Sequence, residues 1–262
     1  MDFYDPEGSP VVRPEGMVRA LTLGGLREEA LRVGEVAVIV VTGADLRGMA
    51  RKLRAKPQYA WRPYRKLYTS QGITVALSPF GAPNVVALAE ELRAFGGEVF
   101  LFFGYCGSLR EEVRAGEIVL PTKAIREEGT SFHYLPEGEE ATASDGLSEA
   151  IERVLREEGV SFRKGLVWTT DAIYRETSGK VERYAEMGCL GVEMETAALF
   201  AWGRASGVEV GGLLVVTDEL SGGHWTPRFR STAFLRGRRR GLDLMAKVAK
   251  ALRHRGGRSG KG

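Results

Sequence analysis

The sequence contains little cysteine and little histidine, with two cysteines and three histidines among 262 residues. Cys106 and Cys189 lie among apolar residues and form neither a disulfide framework nor a zinc-binding pattern. The histidines, His133, His224 and His254, are too scattered to indicate a metal site. We therefore expect no bound metal and a reducing, cytoplasmic environment.

Long hydrophobic runs are also missing. The most apolar stretches, Val36–Val41 and Val99–Phe103, have the length of strands, whereas a membrane-spanning helix needs about 20 apolar residues. The first residues, MDFYDPEGSP, are acidic and interrupted by proline and glycine. This start predicts no secretory signal, and the sequence predicts no association with a membrane.

Neither sign of charge dominates, because 37 basic and 34 acidic residues leave a net charge of +3. A basic tail at residues 256–262 is expected to be flexible. The run Arg236–Arg240 could contact nucleic-acid phosphates. However, Leu235, Leu242 and Met245 give this region the pattern of an amphipathic helix. We therefore expect its charges to mark a solvent face and predict no nucleic-acid partner.

What the sequence does contain is an alternation of strand-like and helix-like segments. The strand-like runs are rich in β-branched residues and comprise Ala37–Thr42, Ile73–Ser78, Val99–Gly104, Glu117–Ile125, Leu166–Thr170 and Gly211–Thr217. Helical periodicity is present in Leu46–Leu53, Asn84–Phe95, Leu147–Glu158, Lys180–Met187, Thr196–Ser206 and Ser231–Leu252. Apolar strands between helices predict an α/β fold. We expect one domain over residues 1–255, with a central mixed β-sheet flanked by helices on both sides.

Ligand sites in such sheets lie at the carboxyl ends of strands. After the first strand, Gly43 would let backbone N–H groups approach a ligand. Arg47, one turn into the following helix, could complete an anion site there. The alternative is an ordinary strand-to-helix turn with Asp45 as a helix cap. Two glycines in Gly104–Leu109, after the third strand, indicate a turn that stays open for a ligand or for close packing.

Acidic residues mark two further strand ends. Glu193 and Glu195 flank Met194 just before an apolar helix. An ionised carboxylate can accept hydrogen bonds from two neighbouring sugar hydroxyls, and a methionine offers the sugar a polarizable surface. Pairing with the helix dipole is the alternative. Asp218 ends the last strand, where a desolvated carboxyl group could donate a proton, although it could also serve as a turn or cap residue.

Taken in order, these strand ends resemble the nucleoside phosphorylase family, which includes hexameric purine nucleoside phosphorylases and uridine phosphorylases. Gly191–Phe200, GVEMETAALF, resembles the family's ribose-binding Glu-Met-Glu signature. Gly43–Arg47, GADLR, matches the outer residues of the family's phosphate-binding Gly-Asp-Pro-Leu-Arg turn. Gly104–Leu109 resembles the family's glycine-rich strand end, and Ile125–Pro136 resembles the segment that follows it. The resemblance covers nearly the whole chain.

The resemblance implies reversible phosphorolysis, in which a nucleoside and phosphate give a free base and ribose 1-phosphate. Phosphate is then a co-substrate, and no metal or organic cofactor is required. It also implies a homo-oligomer, a hexamer built as a trimer of dimers. The implied site residues are Gly43 and Arg47 for phosphate; Glu193, Met194 and Glu195 for ribose; Cys106, Gly107, Thr170, Ile173 and Tyr174 for the base; and Asp218, with Arg228 or Arg230 beside it, for catalysis. Arg62 and Arg65 lie near the place of a further phosphate-binding arginine that the family takes from the neighbouring subunit.

Two features bear on which base is cleaved. In the purine enzymes a Ser-Asp pair follows the late strand, and its Asp protonates the purine ring. Thr217 and Asp218 occupy that place here, so the resemblance favours purine nucleosides. Ile125–Pro136, in contrast, is more similar to the uridine branch, so uridine phosphorylase remains an alternative.

Two positions depart from the family pattern. The family usually has an arginine two residues before its central glycine and a serine or threonine just after it, and both bind phosphate. Here these positions are Phe102 and Tyr105. Replacing arginine by phenylalanine removes a charge and its paired donors. Unless another arginine compensates, the affinity for phosphate should fall. The alternatives are then a weak phosphorylase, a nucleosidase that uses water in place of phosphate, or a binding protein that no longer turns over.

Overall fold

A computed structural model describes residues 3–22 and 26–256, with side chains as far as residue 253. The strands are β1 (Val36–Val40), β2 (Lys56–Pro57), β3 (Leu67–Ser70), β4 (Ile73–Leu77), β5 (Val99–Ser108), β6 (Ile118–Glu127), β7 (Ala141–Thr142), β8 (Phe162–Thr170), β9 (Gly191–Glu193), β10 (Glu209–Glu219) and β11 (Thr226–Pro227). The helices are α1 (Pro14–Leu21), α2 (Glu28–Leu31), α3 (Gly43–Leu53), α4 (Ala82–Ala94), α5 (Asp145–Glu157), α6 (Ser178–Glu186), α7 (Thr196–Ser206) and α8 (Thr232–Gly256).

Within the described residues the strands form one mixed sheet in the order β11-β10-β6-β8-β9-β5-β1-β4-β3-β2, with β7 paired to β6. Strand β10 pairs in parallel with β5 and antiparallel with β6. The strands β5, β10, β6, β8 and β9 therefore close into a ring. Strands β1, β4, β3 and β2 extend from β5 as an open wing of this ring.

Both faces of the sheet are buried, as β1 illustrates. Ala37 and Ile39 belong to a core that contains residues of α1, α4 and α7. Val38 and Val40 point the other way, into a core built with α3, α5 and α8. Because successive side chains of a strand face opposite sides, a strand covered on both faces must be apolar throughout. The predicted fold, a mixed sheet flanked by helices on both sides, is confirmed.

The predicted segments are all present, most of them with shifted ends. Helix α3 begins at Gly43, three residues before its predicted start, because Thr42 caps it by accepting a 3.1 Å hydrogen bond from the Asp45 N–H. Strand β3 was not predicted, since its polar residues lack the apolar pattern of a buried strand. Helix α8 runs to Gly256, and the rest of the predicted basic tail lies outside the described residues. No helix in the described ranges is long and apolar enough to cross a membrane.

Candidate active site

Gly107 is the point at which three strands of the ring meet. It pairs with Val192 of β9 on one side and with Asp218 of β10 on the other. The pairing of β5 with β10 shifts register between Val216 and Asp218. Such an irregularity inserts an extra residue, here Thr217, and redirects the side chain that follows. The candidate acid, Asp218, is therefore placed beside the glycine-rich end of β5.

The carboxylate of Asp218 is held by two donors. The Thr217 hydroxyl donates to Oδ1 at 2.5 Å, and the Trp225 Nε1–H donates to Oδ2 at 2.9 Å. A Cβ atom at Gly107 would lie 2.9 Å from Oδ2. Any residue larger than glycine at this position would therefore displace the carboxylate of Asp218. Trp225 was not predicted as a site residue. Its only signal in the sequence is that an aromatic residue follows the candidate acid within one loop.

Neither arginine expected beside Asp218 contacts it. Arg228 donates to Glu219 Oε2 at 3.4 Å, and Arg114 lies 3.6 Å from the same atom. The hairpin of β10 and β11 places Arg228 on the side of Glu219, and Arg230 is exposed in the loop before α8. The expectation that Arg228 or Arg230 assists the acid is therefore not supported by the geometry within one chain.

Glu193 organises the start of helix α7. Its Oε2 accepts hydrogen bonds from the backbone N–H groups of Glu195 at 2.8 Å and Thr196 at 2.7 Å, and its Oε1 accepts one from the Thr169 hydroxyl. The carboxylate is buried and engaged by its own chain. Glu193 is thus the dipole partner of the helix, and this geometry does not favour its expected role as a direct ribose ligand.

Glu195 is differently placed. Its Oε1 accepts a 2.6 Å hydrogen bond from the backbone N–H of Gly81, and the neighbouring Met194 is partly exposed. Gly81 has a φ of +105°, which L-residues rarely adopt, so glycine is required for this contact. Burial, and then the charge of Glu193, raise the pKa of Glu195 above its ordinary range. Gly81 was not predicted as a site residue.

The turn after β1 leads directly into helix α3. Gly43 opens α3, Arg47 is exposed, and a guanidinium nitrogen of Arg47 lies 3.5 Å from the place of a Cβ on Gly43. Phe102 is buried in the core and does not replace the missing charge. The Tyr105 hydroxyl points into this turn and donates to Asp45 Oδ2 at 2.6 Å.

The two other expected phosphate ligands lie differently. Arg65 forms an ion pair with Glu91, with Nε 2.8 Å from Oε2 and Nη2 2.9 Å from Oε1. The side chains are 13% and 4% exposed, so the charge of Arg65 is neutralised within its own chain, and its expected phosphate role is not supported. Arg62 is exposed, with its guanidinium 4.9 Å from the centre of the Tyr59 ring.

Three of the residues expected at the base, Thr170, Ile173 and Tyr174, lie at the end of β8 or just after it. Thr170 is buried, and its hydroxyl accepts a 3.3 Å hydrogen bond from the Ala172 N–H. Ile173 and Tyr174 are 52% and 96% exposed. The described residues therefore leave much of Ile173 and nearly all of Tyr174 uncovered. Trp225, the partner of Asp218, is likewise 62% exposed.

The charge of Asp218 affects the pKa values of two further groups, Cys106 and Glu176. Burial raises the pKa of the Cys106 thiol, and the charges of Asp218 and Glu193 add to the effect. Cys106 is therefore a neutral, buried side chain near both carboxylates. Glu176, which follows Tyr174 by two residues, is half-buried; burial, and then the charges of Asp218 and Glu127, raise its pKa to about 7.

The site contains several carboxylates without a metal-binding arrangement. In the described part of the chain, no group of three or more histidine, cysteine, aspartate or glutamate side chains could hold a metal ion. The polar groups present are instead a glycine turn with Arg47, the carboxylate of Glu195 and the carboxylate of Asp218. Such a set can bind an anion, accept hydrogen bonds from hydroxyls and exchange a proton.

Sequence comparisons relate the chain to one family of enzymes. Residues 35–252 match the family model of the phosphorylase superfamily. A guanosine phosphorylase from Halorubrum lacusprofundi is 30% identical over 158 residues, which are 60% of this chain and 65% of that protein, so the match spans just under two thirds of the relative. A DeoD-type purine nucleoside phosphorylase from Alkaliphilus metalliredigens is 31% identical over 176 residues, 64% of this chain and 73% of that one.

Solved structures share the fold over most of the chain. The purine nucleoside phosphorylase of Toxoplasma gondii, solved in complex with immucillin-H, has a TM-score of 0.78 and 25% identity, covering 88% of this chain and 95% of that one. The uridine phosphorylase of Vibrio fischeri has a TM-score of 0.74 and 22% identity, covering 85% and 94%. An AMP nucleosidase from Bacteroides thetaiotaomicron has a TM-score of 0.71 and 23% identity, covering 86% and 91%. Because the family model covers most of the chain, this protein belongs to the phosphorylase superfamily.

Proposed function

We propose that this protein is a nucleoside phosphorylase that cleaves the N-glycosidic bond of purine nucleosides with phosphate. The products are the free base and ribose 1-phosphate. The observation that carries the proposal is the position of Asp218, held by Trp225 and Thr217 against Gly107 where three strands meet. Membership of the superfamily and the similarity to a guanosine phosphorylase and a purine nucleoside phosphorylase support it.

Each group has a part in this reaction. The turn at Gly43, with Arg47, binds phosphate at the positive end of helix α3. Glu195 accepts hydrogen bonds from ribose hydroxyls over the surface of Met194. As the glycosidic bond breaks, its electron pair moves to the base, and the carboxyl group of Asp218 donates a proton to a purine ring nitrogen. A phosphate oxygen forms the new bond to the anomeric carbon. Gly107, Cys106, Thr170, Ile173 and Tyr174 surround the base.

The active form in this proposal is a homo-oligomer, a hexamer built as a trimer of dimers, with each site shared between two chains. The support within one chain is the exposure of Ile173, Tyr174 and Trp225 around the site. Apolar side chains grouped at the mouth of a site are a surface that a neighbouring subunit can cover. Sedimentation velocity would give the number of chains. In the same proposal the enzyme is cytoplasmic and uses phosphate as a co-substrate, without a cofactor.

The test is base release from inosine, guanosine, adenosine and uridine, each with and without phosphate. We expect purine release that requires phosphate. Asp218→Asn should lower kcat for purine nucleosides roughly 100-fold or more, because a positioned general acid contributes about that factor. Asp243→Asn, on the surface of α8 in an ion pair with Lys52, is the matched control. An active Asp218→Asn enzyme would refute the acid, and uridine as the best substrate would refute the purine preference.

A nucleosidase is the second candidate, and a specific observation favours it. Phe102 is buried in the core, so strand β5 supplies no charged phosphate ligand at that position. The Tyr105 hydroxyl is engaged with Asp45. Base release at an equal rate with and without phosphate would support this alternative and refute the phosphorylase.

A further inference from the structure

An arginine far along the sequence reaches the proposed phosphate turn. Arg238, on helix α8, donates from Nε to Asp45 Oδ1 at 2.7 Å and to the Tyr105 hydroxyl at 2.9 Å. Its Nη2 also lies 2.7 Å from Asp45 Oδ1. The carboxylate of Asp45 is 0% exposed, whereas the arginine side chain is 26% exposed.

Asp45 is an unfavourable residue for an anion site. It lies in the first turn of α3, two residues after Gly43. Its carboxylate accepts hydrogen bonds from the hydroxyls of Thr42 and Tyr105. The start of a helix attracts anions through its unpaired N–H groups and its dipole. A buried negative charge at the same place would cancel that attraction. A phosphate can bind at the turn only if Asp45 is neutralised.

Tyr105 cannot neutralise it alone, because a hydroxyl donates a hydrogen bond and carries no positive charge. Burial, and then the charge of Asp45, raise the pKa of Tyr105, so the hydroxyl stays protonated and acts as a donor. Arg238 supplies the charge. Of the other arginines considered for phosphate, Arg65 is paired with Glu91 and Arg62 lies over Tyr59.

We propose that Arg238 is a positioning residue for phosphate, which neutralises Asp45 and holds Tyr105 so that the Gly43 turn and Arg47 present a net positive site. In this way a cation on the C-terminal helix offsets the charge that strand β5 lacks at Phe102. The inference rests on the proposed phosphorylase function, which it deepens. Arg238 acts through Asp45, and it does not itself touch the phosphate.

Combining substitutions at Arg238 and Asp45 distinguishes an arginine that neutralises Asp45 from one that binds phosphate directly. Arg238→Met leaves the buried charge of Asp45 unpaired, and we expect the KM for phosphate to rise about tenfold or more, with the KM for the nucleoside at saturating phosphate little changed. Asp45→Asn/Arg238→Met removes both charges and should restore the phosphate KM. Arg238→Lys, which keeps the charge, should restore much of it. Arg236→Met, on the exposed side of the same helix, is the control.

Calorimetric titration with inorganic phosphate measures the same effect without turnover. The affinity for phosphate should rank the variants in the same order as the phosphate KM. Asp45→Asn alone should bind phosphate at least as tightly as the wild type. This last variant also serves if Arg238→Met fails to fold, as thermal unfolding would show. Weaker binding by Asp45→Asn would overturn the inference.

Two further results would also overturn it. The first is an unchanged phosphate KM in Arg238→Met. The second is a double variant as impaired as Arg238→Met, which would mean that Arg238 binds phosphate directly. Failure of the proposed function is distinguishable, because the wild type would then release base without phosphate. If such an enzyme still bound phosphate, in the expected order of variants, the role of Arg238 would stand while the phosphorylase would not. A wild type that binds no phosphate would refute both.

Discussion

The replacement of Glu195 by glutamine removes the ability to ionise from a side chain that is 3% exposed and keeps its shape. In the wild type, Oε1 accepts from the Gly81 N–H at 2.6 Å. Two ribose hydroxyls that donate to this carboxylate would favour its charged form in the complex, and the amide replaces these hydrogen bonds to a charge with neutral ones. The substitution therefore tests the ribose role without opening a cavity.

The expected loss follows from the strength of such bonds. A hydrogen bond to a charged group contributes about 1.5–3 kcal/mol, and a neutral one about 0.5–1.5 kcal/mol. Losing the difference at two hydroxyls costs roughly 2–3 kcal/mol of binding to the transition state. Since 1.4 kcal/mol is a factor of ten, kcat/KM should fall roughly 30- to 150-fold.

Although Glu195→Gln should be less active, it should be at least as stable as the wild type near neutral pH. The pKa of Glu195 is raised by burial and by Glu193, so this group favours the folded chain below the ordinary pKa of 4.5 and loses that contribution as the pH rises through its folded pKa. Glu195→Gln cannot ionise, and its Tm relative to the wild type should therefore increase between pH 5 and pH 8. Reduced activity together with unchanged or greater stability would exclude misfolding as the cause.

The assay compares kcat/KM of Glu195→Gln with that of the wild type on a purine ribonucleoside and on its 2′- and 3′-deoxy analogues. The penalty should shrink on each analogue, because one of the two hydrogen bonds is already missing. Glu186→Gln, at the exposed end of α6, is the control. A loss smaller than about threefold, or one of equal size on all three substrates, would show that Glu195 does not bind the ribose hydroxyls.

Two other predictions concern the neighbourhood of Asp218. Gly107→Ala places a Cβ 2.4 Å from Leu220 Cδ1 and 2.9 Å from Asp218 Oδ2; the carboxylate must shift, and kcat should fall roughly 10- to 100-fold. Steady-state kinetics with an unchanged kcat would place the acid elsewhere. Glu176 has a pKa of about 7, raised by burial and by Asp218 and Glu127, so its contribution to stability is complete below 4.5 and lost by about pH 7. The Tm of Glu176→Gln relative to the wild type should increase from pH 5 to pH 8, and a constant difference would contradict the assignment.

Much of the fold was predictable because it rests on local patterns. The apolar run Val36–Val40 must be covered on both faces, and this dictates helices on each side of the sheet. Helix α7 was predicted with its correct ends, since Gly207 takes the left-handed conformation that closes it, with a φ of +66°. Short polar strands such as β3 were missed because pairing with a neighbour, and not an apolar pattern, defines them.

The site was predictable in part. The pattern around Gly191–Phe200 identified the Glu-Met-Glu segment, but it could not distinguish its two carboxylates. Only the hydrogen bonds separate them: Glu193 caps α7, whereas Glu195 reaches Gly81, 114 residues earlier. Partners at such distances leave no periodic signal in the sequence. The pairing of Arg65 with Glu91 escaped prediction for the same reason. The pairing of Arg228 with Glu219 depends on the hairpin of β10 and β11, which was not predicted either.

The order of residues therefore decides which segments are strands and helices, which faces are apolar, and which short motifs carry the chemistry. Those properties depend on neighbours within a few residues, through side-chain alternation and backbone preference. Packing decides the rest. The closing of the ring brings β9 and β10 to Gly107, although β9 runs antiparallel to β5. The docking of α8 brings Arg238 to Asp45, 193 residues away, because a buried carboxylate requires a counter-charge wherever the fold can supply one.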